Sequence, residues 1–196
     1  LHHQLEVLKT GLPEYTVVGV GREDGKTAGE YAPIFFKQAK YTLLDQNTFW
    51  LCEKPDSVGM VGWDAALTRI ATWVKLQDKK TGQILMVVNT HFDHIGTEAR
   101  RNSALLIIEK IKEIVGTSPA ILTGDFNVSE DWDAYKTITN NEFILKDAHK
   151  VAGKRTGVDF TYHNFGKIPA EKCEKIDFIF VTPQIRVISS YIPFSQ

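Results

Sequence analysis

The chain has 196 residues, of which 43% are hydrophobic and 24% charged, values typical of one globular domain. This composition excludes a disordered tail, a collagen-like fibre and a disulfide-stapled miniprotein. With 23 Lys and Arg against 24 Asp and Glu, the net charge of −1 argues against a strong non-specific nucleic-acid binder. No apolar run approaches the roughly 20 residues of a membrane helix, and the first residues do not resemble a signal peptide. We therefore expect a soluble protein, cytoplasmic or exported.

The first half of the chain predicts one helix followed by strands. Leucines recur at helical spacing over residues 1–12, and Gly11 and Pro13 end this helix. Runs of β-branched and aromatic residues predict strands over residues 15–20, 31–37, 41–51, 69–76 and 84–90, with loops over 21–26 and 55–62. The turn composition of residues 78–82 predicts a hairpin between the last two of these strands.

The second half predicts two helices among further strands. An apolar stripe predicts a helix over 98–115 that Gly116 ends, and Ser129 is predicted to cap a second helix whose first turn is acidic. Predicted strands cover residues 120–123, 176–182 and 186–192. Because we find no repeat and no linker, we expect residues 1–196 to belong to a single domain that lacks its first and last strands. Local strand pairing favours an α+β fold, with two sheets flanked by helices, over a Rossmann-type parallel sheet.

Two cysteines, Cys52 and Cys173, have no CxxC partner, so a thiolate zinc site is not expected. The sequence is compatible with a disulfide between these two cysteines and with two unpaired thiols.

Ionisable side chains lie at the ends of three predicted strands, where active sites often gather. Residues 89–94 (Asn-Thr-His-Phe-Asp-His) crowd polar groups around His91. Asp125 and Asn127 are two positions apart, so on an extended chain both face the same way and can hold a metal-bound water or a phosphate. Asp177 begins an apolar strand and is costly to bury without a partner. Each motif alone also has a local explanation as a turn or a strand-end aspartate.

Together these motifs resemble those of the endonuclease/exonuclease/phosphatase superfamily, which has the deoxyribonuclease I-like fold. The motifs that carry the resemblance are NTHFD (89–93), GDFN (124–127), IDFI (176–179), GEYAPIFF (29–36), RIATW (69–73), FWL (49–51) and GWDAAL (62–67). The last two resemble an uncharacterised bacterial branch. The resemblance covers nearly the whole chain and implies a four-layer α/β/β/α sandwich.

The resemblance implies hydrolysis of a phosphate ester by in-line attack of water, of the phosphodiesterase or nuclease type, with Mg²⁺ or Mn²⁺ as cofactor. His91 would donate a hydrogen bond or a proton to the phosphate or the leaving oxygen. Glu30 would orient the imidazole and keep it charged by raising its pKa. Asp125 and Asn127 would bind metal or position water, and Asp177 would orient a second histidine.

Other polar residues are candidates for contacts with the substrate. They are Arg22, Trp63, Arg69 and Asp93 for the substrate or its phosphate, with Glu23 and Asp64 beside them. Their alternatives are a solvated loop, a packed tryptophan and a simple turn. The substrate itself, whether nucleic acid, nucleotide, phospholipid or sugar phosphate, is not resolved, and no obligate protein partner is predicted.

Two non-enzymatic interpretations stay open. One is a degenerate member of the same fold that only binds phosphorylated ligands or a partner protein. The other is a metal-binding module built from His91, Asp93 and His94, although three residues within four positions cannot readily surround an ion.

Two expected motifs of the family are not found in these residues. One is a Gln-Glu pair whose glutamate is the principal metal ligand, and the other is a terminal Ser-Asp-His segment. We expect the chain, from Leu1 to Gln196, to be the middle of a longer domain.

Overall fold

A mixed six-stranded β-sheet forms the centre of the fold, a computed structural model that describes residues 1–141, 143 and 145–194. In chain order the elements are α1 (His2–Gly11), β1 (Tyr15–Val18), β2 (Ile34–Lys37), β3 (Tyr41–Trp50), β4 (Ile70–Asp78), β5 (Ile84–His91), α2 (Thr97–Val115), β6 (Ala120–Asp125), α3 (Asp133–Thr139), β7 (Lys146–Asp147), α4 (Ala148–Val151), β8 (Lys154–Gly157), β9 (Asp177–Val181) and β10 (Ser189–Ile192). The large sheet has the order β3-β4-β5-β6-β9-β7, while β1 pairs with β2 and β8 with β10.

The large sheet is covered on both faces, and this determines the layers. Alternate residues of β4 point to opposite faces, so Ala71 and Trp73 pack under α2 and α3 while Val74 packs against Ile34 of β2. Helix α1 in turn lies against β1. The order of layers is therefore helices α2 and α3, the large sheet, the β1–β2 ribbon, and α1. This confirms the predicted α+β fold with flanking helices.

The connection between β5 and β6 positions the strand ends that carry the chemistry. These strands are parallel and α2 crosses between them, whereas β4–β5 and β6–β9 are antiparallel pairs. Strands β5 and β6 pair although the whole of α2 separates them in the sequence. The sequence prediction of mainly local strand pairing did not include this pair. Because β5 and β6 run in the same direction, their carboxyl ends meet at one edge of the sheet.

Several element boundaries differ from the sequence prediction. Strand β2 begins at Ile34 instead of residue 31, because Glu30 is bonded through its carbonyl to Arg22 N–H and Pro33 has no N–H to donate. Helix α3 begins at Asp133 with Trp132 as its N-cap, so the prediction that Ser129 caps it is wrong. The Ser129 carbonyl instead closes a turn by accepting from Trp132 N–H. Elements β7, α4 and β8 were not predicted.

Both cysteines are free thiols, and Cys52 is buried. Over the residues described, none of the helices combines the length and apolar character that crossing a membrane requires.

Candidate active site

Three strand ends bring His91, Asp125 and Asp177 together. His91 pairs with Asp125 across the parallel strands, and Asp125 pairs with Asp177 across the antiparallel ones. His91 Nε2 lies 3.6 Å from Asp125 Oδ2. All three residues line one cavity of about 530 Å³, a volume in the range of small-molecule sites.

Asn127 joins this group through a turn rather than through an extended strand. Its φ of +48° is left-handed, a conformation that Asn tolerates better than most residues. Asn127 N–H donates to Asp125 Oδ1 at 2.9 Å, and Nδ2 donates to the Phe92 carbonyl at 2.9 Å. The prediction that an extended chain aligns the Asp125 and Asn127 side chains is wrong in its geometry. The two residues are instead connected by a hydrogen bond.

Two carboxylates, Asp125 and Asp177, lie opposite each other in the lining of the cavity. Burial, together with the nearby Asp177 carboxylate, raises the pKa of Asp125 to about 6, against the opposing hydrogen bond from Asn127 N–H. A carboxylate in this environment gains from a cation, since a nearby positive charge favours the ionised form.

Glu30 is the meeting point of three nitrogen-bearing side chains. Its Oε2 atom lies 2.5 Å from Arg22 Nη1, 3.7 Å from His91 Nδ1 and 3.8 Å from Arg69 Nη1. The Glu30 side chain is 47% exposed. Of the two ring nitrogens of His91, one therefore faces Glu30 and the other faces Asp125.

The expectation that Glu30 keeps His91 charged is wrong. Burial lowers the pKa of His91 to about 4, and the positive charges of Arg69 and Arg22 act in the same direction. Glu30 opposes this effect but does not overcome it. His91 is consequently a neutral imidazole at pH 7, able to donate from one ring nitrogen and accept at the other.

The two predicted phosphate-binding arginines lie behind Glu30. Arg69 is 4% exposed and Arg22 is 8% exposed, and neither lines the large cavity. Trp50 Nε1 donates to the Arg22 carbonyl at 2.7 Å, which fixes this part of the loop. In this conformation both arginines are buried behind Glu30, and their positive charge acts on the His91 end of the cavity.

Asp93 and Trp63 do not face the cavity, contrary to the prediction that they contact substrate. Asp93 is 2% exposed, and its carboxylate is occupied by five donors from the protein itself. Trp63 borders a different surface cavity, between Glu53 and Leu105 of α2. The backbone bends sharply at Trp63, where φ is +48°, and its N–H donates to Glu53 Oε1 at 3.1 Å.

Asp64 has a structural position as well. Its carboxylate accepts from Ala99 N–H at 2.6 Å and from Glu98 N–H at 3.2 Å, so that it caps the first turn of α2. Glu23 packs against Gly29 in the loop before β2.

The cavity also includes residues that the sequence motifs did not indicate. Thr161 Oγ1 accepts from both Ile176 N–H and Asp177 N–H at 3.1 Å, which fixes the start of β9. His149 Nδ1 lies 2.9 Å from Ser190 Oγ on the far wall. Of these additional lining residues, only Lys175 could have been found from the sequence, because it directly precedes the motif that contains Asp177. Residues 149, 161 and 190 are distant from the motifs in the sequence.

The residues present fit a magnesium ion held by few protein ligands. Within the described ranges, no group of three or more His, Cys, Asp or Glu side chains is close enough together to hold a metal ion by itself. Magnesium, however, often takes only one or two carboxylates and fills its other positions with water and substrate phosphate. The Asp125 carboxylate, with its raised pKa, and the oriented Asn127 amide are oxygen donors of this kind.

Comparison with known proteins identifies close relatives. No family model matches the chain. An endonuclease/exonuclease/phosphatase protein of Bacteroides vulgatus has 66% identity and a TM-score of 0.98, covering 100% of this chain and 75% of its own. A Bacteroides thetaiotaomicron mannosyl-6-phosphatase has 40% identity and a TM-score of 0.89, covering 95% of this chain and 70% of its own.

A more distant relative comes from a virus. An uncharacterized protein of Acanthamoeba polyphaga mimivirus is 36% identical over 172 residues, which is 84% of this chain and 63% of that protein. The chain thus spans less than two thirds of the length of this relative. The bacterial similarity extends over the whole chain, and the chain belongs to the endonuclease/exonuclease/phosphatase family.

Proposed function

We propose that this protein hydrolyses phosphate esters by in-line attack of water, with Mg²⁺ or Mn²⁺ as cofactor. The observation that carries the proposal is the convergence of His91, Asp125 and Asp177 on one cavity, with Asn127 bonded to Asp125. A degenerate binding protein would not need to retain this group in register.

For the substrate we propose a phosphate monoester of a small hydroxylated alcohol, such as a sugar phosphate. The support is the 40% identical relative that is a mannosyl-6-phosphatase and a cavity of about 530 Å³, which suits a small ester. The alternative substrate class is a phosphodiester, which the sequence motifs predict. The experiment described below measures the hydrolysis of both classes.

Hydrolysis forms a bond from the water oxygen to phosphorus and breaks the bond from phosphorus to the ester oxygen. The ester oxygen leaves with the electron pair and takes up the proton that the attacking water releases, so that the products are the alcohol and inorganic phosphate. Neutral His91 carries one N–H, and with that proton on Nε2 it donates a hydrogen bond to the phosphate or the leaving oxygen, while Glu30 lies 3.7 Å from Nδ1. The buried Arg22 and Arg69 add positive potential that favours the negatively charged ester.

Asp125 and Asn127 would hold the metal ion, which neutralises charge on the phosphoryl oxygens when bound. The same two side chains orient the attacking water. Asp177, opposite Asp125, maintains the negative charge at the cavity floor.

This function is tested by measuring the hydrolysis of p-nitrophenyl phosphate, bis(p-nitrophenyl) phosphate and mannose 6-phosphate by the full-length protein. The rates are compared after removal of metal with a chelator and after addition of Mg²⁺ or Mn²⁺. We expect metal-dependent turnover that is faster with the monoesters. His91→Ala should lower kcat by about 10²- to 10⁴-fold, whereas the exposed His3→Ala should not. Turnover without metal, or an active His91→Ala variant, would contradict the proposal.

A further inference from the structure

Asp93 and Arg69 form a buried ion pair next to the proposed active site. Arg69 Nε lies 3.4 Å from Asp93 Oδ1, and both side chains are almost completely buried. The remaining donors to the Asp93 carboxylate are the backbone N–H groups of Ala66, Leu67, Ile95 and Gly96, at 2.8 to 3.2 Å. Since these donors come from two separate segments, the carboxylate joins the end of β5 to the loop before β4.

The ion pair with Asp93 holds the Arg69 guanidinium so that its two terminal nitrogens face His94 and Glu30. Arg69 Nη2 lies 3.2 Å from His94 Nδ1, and Nη1 lies 3.8 Å from Glu30 Oε2. The Arg69 carbonyl accepts from Leu51 N–H at 2.8 Å, which fixes its backbone against the residue that follows β3. Asp93 at one end and the backbone at the other therefore leave the guanidinium little freedom.

Arg69 Nη1 is buried and makes no hydrogen bond to any described residue. A buried N–H without an acceptor is costly, and the carboxylate it faces is Glu30. The half-exposed Glu30 side chain needs only a small movement to reach it. Such a movement would set the position of the Glu30 carboxylate relative to the imidazole of His91.

We infer that Asp93 is a positioning residue, which acts through Arg69 on Glu30 and thereby on His91. The relay runs from a carboxylate that no substrate can reach to an imidazole that lines the cavity. This assignment differs from the sequence prediction that Asp93 and Arg69 bind phosphate directly. It rests on the proposed function, because His91 must take part in the reaction.

The two assignments predict different kinetics. Loss of a direct phosphate contact weakens substrate binding, whereas loss of positioning lowers kcat and leaves phosphate affinity nearly unchanged. The test measures kcat and KM with p-nitrophenyl phosphate, and the Kd of inorganic phosphate by calorimetry, on the full-length protein. The variants are Asp93→Asn, Arg69→Met and the double variant.

We expect each single variant to lower kcat by about tenfold to a hundredfold. In Asp93→Asn, which keeps the charge of Arg69, the phosphate Kd should change by less than about threefold. The double variant should be no slower than Arg69→Met, because Asp93 acts through Arg69. A phosphate Kd raised tenfold or more in Asp93→Asn, or additive losses of kcat in the double variant, would overturn the inference.

Asp64→Asn is the matched control, because Asp64 holds the same loop through α2 but does not touch Arg69. We expect it to lower Tm and to keep kcat. An equal loss of kcat in this control would mean that loop stability alone explains the effect, and would overturn the inference. If Asp93→Asn does not fold, Arg69→Lys replaces it, because one amino group cannot serve Asp93 and Glu30 together. Full kcat in Arg69→Lys would then overturn the inference.

The imidazole ¹⁵N shifts of His91 give a readout that does not depend on turnover. They should change in Asp93→Asn and Arg69→Met but not in Asp64→Asn. A wild-type protein without turnover would overturn the proposed function and this inference together. Wild-type turnover with an unchanged Asp93→Asn variant would overturn this inference alone.

Discussion

Asp125 and Asp177 lie directly opposite each other on antiparallel strands, at the end of β6 and the start of β9. Like charges in this arrangement repel. Here the second carboxylate adds to burial in raising the pKa of Asp125 to about 6. The repulsion is offset when a cation binds between or beside the two groups, so this pair connects the geometry of the sheet to the proposed metal dependence.

The Asp177→Asn variant should lower the pKa of Asp125, because it removes a neighbouring negative charge and leaves burial unchanged. Titration of the Asp125 side-chain carboxyl by ¹³C NMR, in metal-free buffer, measures the change. Asp159→Asn is the control, since Asp159 has a fully exposed side chain. An unchanged pKa in Asp177→Asn would show that burial alone is responsible.

Divalent metal should stabilise the folded protein through Asp125. A ligand that binds only the native state raises stability according to its concentration relative to Kd, by about 2.7 kcal/mol at 100 Kd. We expect Mg²⁺ or Mn²⁺ to raise the Tm of the wild-type protein and to have little effect on Asp125→Asn. Thermal unfolding with and without a chelator measures this effect. Equal metal stabilisation of the two proteins would place the ion elsewhere.

Stability should fall in acid through Asp93. Although burial opposes it, hydrogen bonds from the backbone N–H groups of Gly96, Ala66 and Ile95, together with Arg69, hold the pKa of Asp93 well below its usual range. A lowered folded-state pKa stabilises the protein above the unfolded value of about 3.9, and this stability is lost as the pH falls through the folded-state pKa.

The Asp93→Asn variant measures that contribution. We expect it to lower the free energy of unfolding by about 2 to 4 kcal/mol at pH 7, with the difference from wild type narrowing below about pH 4. Urea unfolding at a series of pH values gives the comparison, with Asp159→Asn as the exposed control. A difference that stays constant down to pH 2 would contradict the assignment.

Gly124 allows β6 to approach β5 closely. A Cβ at this position would lie 2.3 Å from the Thr90 carbonyl oxygen, in the backbone of the neighbouring strand. Gly124→Ala should therefore displace Asp125 and destabilise the fold by about 1 to 3 kcal/mol. Gly11→Ala is the control, because a Cβ there meets nothing within 4 Å. Equal unfolding free energies for the two variants would contradict this prediction.

Local patterns were sufficient for most of the secondary structure. The apolar stripe of α2 and the apolar runs of β4, β5, β6 and β9 have the periodicities that their environments demand. The short β7, α4 and β8 escaped prediction, because their sequences KD, AHKV and KRTG are mostly polar and lack the apolar run that marks the equally short β1 and β2. Their formation depends on contacts with β9 and β10.

The candidate site divides in the same way. Motifs and strand patterns in the chain were enough to indicate the family, the α+β class and the placement of His91, Asp125 and Asp177 at strand ends. The burial of Asp93 and Arg69 as a pair and the lowered pKa of His91 became apparent in the folded structure alone. Burial and non-local charge set both properties, and neither leaves a periodic signal in the chain.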